Sequence, residues 1–186
     1  MELMQAIRTR RSVRAYDGEP VDRKAIEAML DAAIHAPTAM NLQPWAFGVV
    51  QDKDELRGIS ARAKAHLLTL QDQLPWLEQY REHLEKPETD IFYNASALVV
   101  IYGDSRTGTI ESDCSLAAEN LMLAACDLGL GSCWIGFACW YLNLPEVKKE
   151  FGVPEEFSAV VPIVVGNPVS DEPPTEKNPP VVMYWR

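Results

Sequence analysis

The run Ala97-Leu-Val-Val-Ile-Tyr102 is continuously apolar and stops at Gly103. So short and uniform a run reads as a strand buried within a sheet, which any fold for this chain must then contain. A second such strand is expected at Ala159–Val165 and a third at Trp45–Val50. Between them lie helical patterns. Asp22 is placed to cap a helix carrying Ala25, Ile26, Met29, Leu30 and Ala33 on one stripe, which Pro37 ends. Asp52 starts another, with Leu56, Ile59, Ala63, Leu67 and Leu70. Residues 112–128 are rich in Ala and Leu, with Gly129 where a C-terminal cap belongs. Shorter helices are expected at 3–8 and at 144–151, the latter opened by Pro145. Residues 71–90 read as a helix with loose ends, and Ser132–Phe137 as a further strand. Helices outnumber strands without strict βαβ alternation, so the class is α+β or mixed α/β.

At 186 residues the chain suits one domain. Its formal net charge of −10 opposes binding to nucleic acid phosphates and to anionic lipid. No apolar run reaches the roughly 18 residues of a membrane span, and the first residues lack the apolar core of a secretory signal. A cytoplasmic protein is the expectation. Cys114, Cys126, Cys133 and Cys139 form no C-x-x-C, and the three histidines stand alone. No metal site is expected, and the thiols read as buried and quiet.

The last 20 residues change character. Five prolines punctuate them, yet they end in Val181, Val182, Met183, Tyr184 and Trp185. A disordered tail rarely carries so much apolar surface, so this one is expected to lie extended against its own body or a partner subunit.

Three segments carry chemistry. Arg8, Arg10, Arg11 and Arg14 crowd one end of an acidic chain. In an extended Arg10–Arg14 segment, Arg10, Ser12 and Arg14 share a face. Two guanidinium forks around one hydroxyl suit a phosphate or carboxylate; pairing with Asp17, Glu19 or Asp22 is the structural alternative. The loop Ala36–Trp45, stiffened by Pro37 and Pro44, displays Thr38, Asn41 and Gln43. Its amides suit either turn capping or a heterocycle edge with a donor between two acceptors, such as the pyrimidine edge of a flavin. Gly129-Leu-Gly-Ser-Cys-Trp-Ile-Gly136 has neither dinucleotide-binding nor Walker spacing. A glycine at its end lets backbone approach a ring closely.

In order and spacing, Arg10-Arg-Ser-Val-Arg14, Pro37-Thr-Ala-Met-Asn41 with Gln43-Pro-Trp45, Gly129–Gly136, and Val164-Val-Gly-Asn-Pro168 followed by a basic residue resemble the motifs of the nitroreductase family. The resemblance spans essentially the whole chain. It implies an α+β three-layer sandwich, a central mostly antiparallel sheet flanked by helices, in an FMN-binding domain at 1–166. A tail at 167–186 would swap onto the partner of a homodimer, with FMN at the subunit interface. Arg10, Arg11, Ser12 and Arg14 would hold the phosphate and ribityl end. Pro37, Thr38, Ala39 and Asn41 would come from the other subunit and border the ring. Trp134, Ile135 and Gly136 would lie along it, and Lys177 would close the phosphate pocket. The family often has an arginine beside that lysine; here Glu176 precedes it.

The implied activity is a ping-pong oxidoreductase. NADH or NADPH would reduce the flavin, and a flat electron-poor acceptor, a nitroaromatic or quinone, would then take its place. No triad or carboxylate pair is in evidence, and no side chain is assigned a catalytic role, since the flavin carries the electrons. Arg14 would stabilise the reduced, anionic flavin. The alternatives are a non-catalytic flavin sensor or storage module, and a specialised branch such as a dehalogenase or flavin-degrading enzyme.

Overall fold

The computed structural model describes residues 1–170, 172–173 and 175–186. Four strands, β1 (Trp45–Val50), β2 (Ala97–Asp104), β3 (Gly131–Trp134) and β4 (Phe157–Gly166), form one sheet in the order β1-β2-β4-β3. Every neighbouring pair is antiparallel. The apolar run at 97–102 is the inner strand β2, and its alternate residues separate two cores. Ala97, Val99 and Ile101 point to one, with Ile163 and Val165 of β4. Leu98, Val100 and Tyr102 point to the other.

Helices α2 (Arg23–Ile34) and α5 (Ile110–Asp127) cover the first face. Asp22 caps α2 by accepting from the Lys24 N–H at 3.0 Å, and Ile26, Met29 and Ala33 turn inward. Helix α5 buries Leu121 together with Cys114, Ala117, Ala118 and Ala125, and these last four, being small, let it lie close on the sheet. It ends as its sequence predicts. Gly129, at φ +75°, lets its own N–H reach Cys126 O and the Leu130 N–H reach Ala125 O, a Schellman closure.

The second face carries α3 (Lys53–Thr69), capped by Asp52 on the Glu55 N–H at 2.8 Å, together with α6 (Gly136–Leu142) and α7 (Pro145–Glu150). The result is the expected three-layer α+β sandwich. Among the described residues, no helix is long and apolar enough to cross a membrane.

Two elements differ from the sequence reading. Residues 71–90 are not one helix: a 3-10 turn at Pro75–Tyr80 leads into α4 (Arg81–Glu85), which stops at Lys86. The Asp90 carboxylate then organises the return to β2, accepting from Ser60 Oγ and from the Phe92 and Asn94 N–H groups. The strand expected at 132–137 ends at Trp134, and Gly136 begins α6. Helix α1 (Leu3–Thr9) packs on α5 at the amino terminus.

Beyond β4 the described residues form no regular element, as expected. The chain there bridges Tyr16 through Pro168, donates from Val169 N to Ala15 O, and passes Arg11, whose Nε donates to Pro173 O. Its end leaves the body: Val181, Met183, Tyr184 and Trp185 are exposed, Trp185 at 91%.

Candidate functional site

The segment after α1 runs extended beside β3. Ser12 pairs with Ser132 in a parallel bridge, and the Val13 N–H donates to Ser132 O at 3.0 Å. Val13 is buried in the space that a side chain on residue 131 would need. A Cβ on Gly131 would lie 2.9 Å from the Val13 side chain, so glycine there permits the close approach. Tyr16 anchors the far end, its hydroxyl donating to Val13 O at 2.9 Å. This one junction brings the arginine segment, the glycine-flanked segment and the start of the tail together.

The junction has a cleft on each side. In one, Arg10 and Arg11 face Gly129–Ser132, Pro168 and Ser170 around about 470 Å³ of space. Arg11 is tied down by Arg8 O, Arg10 O and Pro173 O. Arg10 is half-buried with Nε 3.5 Å from Glu119 Oε1, and that nitrogen makes no hydrogen bond. Asp17 and Asp22 satisfy backbone N–H groups instead of the arginines. Arg10 Nε, paired only loosely with Glu119 and making no hydrogen bond, stands beside a second guanidinium in a cleft that Glu172 also lines, and paired guanidinium forks suit a phosphate.

The other cleft, about 490 Å³, is lined by Arg14, Tyr93 and Cys133, by Trp134, Ile135 and Gly136, and by four further aromatic rings. The Cys133 thiol titrates above its ordinary range because burial outweighs the nearby Arg14, Ser12 and Arg10. It is therefore neutral at physiological pH and a poor nucleophile. Cys139 is pushed up to about 11 and Cys114 to about 12, both by burial. All four cysteines are free, and the described residues contain no cluster of His, Cys, Asp or Glu able to hold a metal.

The loop at Pro37–Asn41 is elsewhere. It precedes β1, at the sheet edge opposite β3. Three strand intervals separate those edges, about 14 Å. Its shape is specific: Met40, Asn41 and Gln43 all have positive φ. Thr38 Oγ1 accepts from the Gln43 N–H at 3.1 Å, and Asn41 Oδ1 from Gln43 Nε2 at 3.0 Å. The capping alternative thus holds for these amides within one chain. Lys177 is exposed on the tail and lines neither cleft.

Three features escaped the sequence reading. Asp113, buried on α5, accepts from the Ala39 N–H at 3.2 Å and from Thr109 Oγ1 at 2.9 Å, holding the 38–43 loop from across 74 residues. Glu119 faces Arg10. Phe137 and Trp140, on α6, join Trp76 and Tyr80 around the second cleft. Their i, i+3 spacing was the available signal, obscured once residue 137 was read as strand.

The Nitroreductase family model matches residues 7–167. An Archaeoglobus fulgidus protein, provisionally named as an NADH dehydrogenase/NAD(P)H nitroreductase, is 31% identical over 92% of this chain and 88% of its own. The iodotyrosine deiodinase of Thermotoga neapolitana is 27% identical over 98% of this chain and 97% of its own. The crystal structure of a Bacteroides fragilis nitroreductase with bound FMN superposes with a TM-score of 0.85 at 28% identity, covering 100% of this chain and 98% of that one. With the motifs, the sandwich and these likenesses in agreement, the chain belongs to the Nitroreductase family.

Proposed function

We propose that this protein is an FMN-dependent oxidoreductase that works as a homodimer, passing electrons from NADH or NADPH to flat electron-poor acceptors such as nitroaromatics or quinones. The observation that carries this reading is the Ser12–Ser132 junction, which sets the arginines beside the Trp134–Gly136 segment and leaves Arg10 Nε without a hydrogen bond. FMN bound in the Bacteroides fragilis relative supports the cofactor, and the name of the Archaeoglobus relative supports the donor.

When bound, FMN accepts the electrons of the nicotinamide and delivers them to the acceptor. The chain binds and orients. Arg10, Arg11 and Ser12 hold the phosphate and ribityl end, and Arg14 sets positive charge beside the ring. Trp134, Ile135 and Gly136 flank the ring. The Gly136 N–H, first in α6, has no intrahelical acceptor and is free for a ring nitrogen. Pro37, Thr38, Ala39 and Asn41 border the ring from the second subunit, because their place across the sheet keeps them from the arginines of their own chain. Lys177 closes the phosphate pocket as the tail crosses to the partner.

Exposed apolar surface supports the dimer. Leu3, Met4 and Ile7 of α1 and Leu116 of α5 lie open, as do Val181–Trp185. The outer edge of β1 pairs with no strand among the described residues, a place where a partner's tail fits. The free thiols suit a cytoplasmic setting.

The test is anaerobic. The purified protein should be yellow, NADH or NADPH should bleach it, and a nitroaromatic or quinone should restore the colour. A protein that ignores added FMN contradicts the proposal. Bound FMN that neither nucleotide reduces would make the protein a sensor or storage module.

A further inference from the structure

Arg10 closes α1: its N–H reaches Ala6 O at 2.8 Å, which fixes where its side chain starts. Helix α1 packs on α5, and Glu119 of α5 is the carboxylate that meets Arg10, Nε to Oε1 at 3.5 Å. The two form an ion pair without a hydrogen bond. Elsewhere the chain closes such pairs. Arg23 reaches Glu27, and Arg81 reaches Glu85, at 2.8 Å, while Arg62 holds both oxygens of Glu150 at 2.9 and 3.0 Å. Arg57 and Asp54 stand 3.7 Å apart, but both lie open to water, which serves the groups they leave unmet. Arg10 Nε is buried and has no partner among the described residues. Its charge is balanced and its directed donor is unspent.

A carboxylate in that position has two effects. When no phosphate is bound, it neutralises a guanidinium that is only 25% exposed and stands beside the guanidinium of Arg11. Towards an arriving phosphate it is a competitor, since it attracts the same guanidinium and repels the anion. The competition is mild, because Glu119 is 47% exposed and water screens it. Glu119 can therefore release Arg10 without becoming a buried, unpaired charge.

We propose that Glu119 is the built-in counter-anion of Arg10, a positioning residue that yields the guanidinium to a phosphate and so sets how tightly the cleft holds FMN and how far it prefers FMN to riboflavin. Glu119 has this role only if the cleft binds the flavin phosphate, as proposed above; it then weakens the phosphate site that the arginines build. Riboflavin carries no phosphate and leaves the Arg10–Glu119 pair undisturbed. If Glu119 served only to tie α5 to α1, its loss would loosen that packing and weaken both flavins alike.

The experiment titrates flavin-free protein with FMN and, separately, with riboflavin, following flavin fluorescence, in the parent, Glu119→Gln and Glu172→Gln. Glu172 lines the same cleft, so its substitution reports what the loss of any one carboxylate charge does there. Glu119→Gln should bind FMN roughly two- to fivefold more tightly than the parent, the scale of one exposed ion pair. The gain should exceed that of Glu172→Gln, and riboflavin affinity should stay at the parent's value. An FMN affinity that is unchanged or weaker in Glu119→Gln overturns the inference, and so does a gain that Glu172→Gln matches or that riboflavin shares. Those results in a protein that binds FMN leave the flavin reading standing. A parent protein that takes up no FMN overturns both.

Discussion

Arg14 differs from the other arginines of its segment by facing the ring cleft, next to Tyr93 and Cys133. Arg14→Ala should weaken FMN binding about 10–100-fold, the cost of losing charge-assisted contacts, as read by flavin fluorescence on titration. Asp113 acts at one remove, as a positioning residue for the 38–43 loop. Asp113→Ala should loosen that loop and weaken FMN binding, whereas Asp113→Asn keeps an oxygen for the Ala39 N–H and should restore most of it. Equal losses in the two variants would show that Asp113 matters only for stability. The thiols give a pH prediction. The folded-state pKa of Cys139 is raised by burial to about 11, above an unfolded thiol's roughly 8.5. Its contribution to stability is therefore complete below pH 8.5 and is lost as the pH climbs towards 11. The urea midpoint should fall across that window, and less steeply in Cys139→Ala.

At the scale of elements, the site depends on the seam between the arginine segment and β3. Gly131→Ala would drive a methyl into Val13 and should cost about 1–3 kcal/mol in urea unfolding, with weaker FMN binding. A variant as stable as the parent would show that the seam has slack. Much of this level was legible beforehand. Asp22, Asp52 and Gly129 announce their caps because each supplies a local hydrogen bond or a backbone conformation that few residues supply. The buried strands announce themselves by uniform apolarity. What stayed hidden is what tertiary packing decides. Cys133–Phe137 is a short apolar run, and such a run does not distinguish the end of a strand from the start of a helix. Asp113 reaches its partner from 74 positions away, a contact no local pattern encodes. Of the site, the arginine, loop and glycine segments were readable. What gathers Trp76 and Tyr80 with further rings is a helix not recognised at 136–142.

At the scale of the molecule, the sheet places the two halves of the proposed site at opposite edges, and the last residues leave the body uncovered. Removing Val181–Arg186 withdraws exposed apolar side chains whose burial on a partner would stabilise a dimer by about 1.5–3 kcal/mol each. It should shift a dimer towards monomer in sedimentation, and an undisturbed dimer would assign the tail another role. The central claim is that one FMN is held by two chains, arginines from one and loop from the other. Complementation tests it most directly. Arg14→Ala and a variant with Thr38 and Asn41 both changed to Ala are each made alone, then refolded together in equal amounts. If each site takes a half from each chain, about half of the mixed dimers are heterodimers with one intact site, so the mixture should hold roughly one FMN per four chains. If each chain holds its own FMN, every site in the mixture stays broken, and a mixture no yellower than the two variants alone would contradict the account.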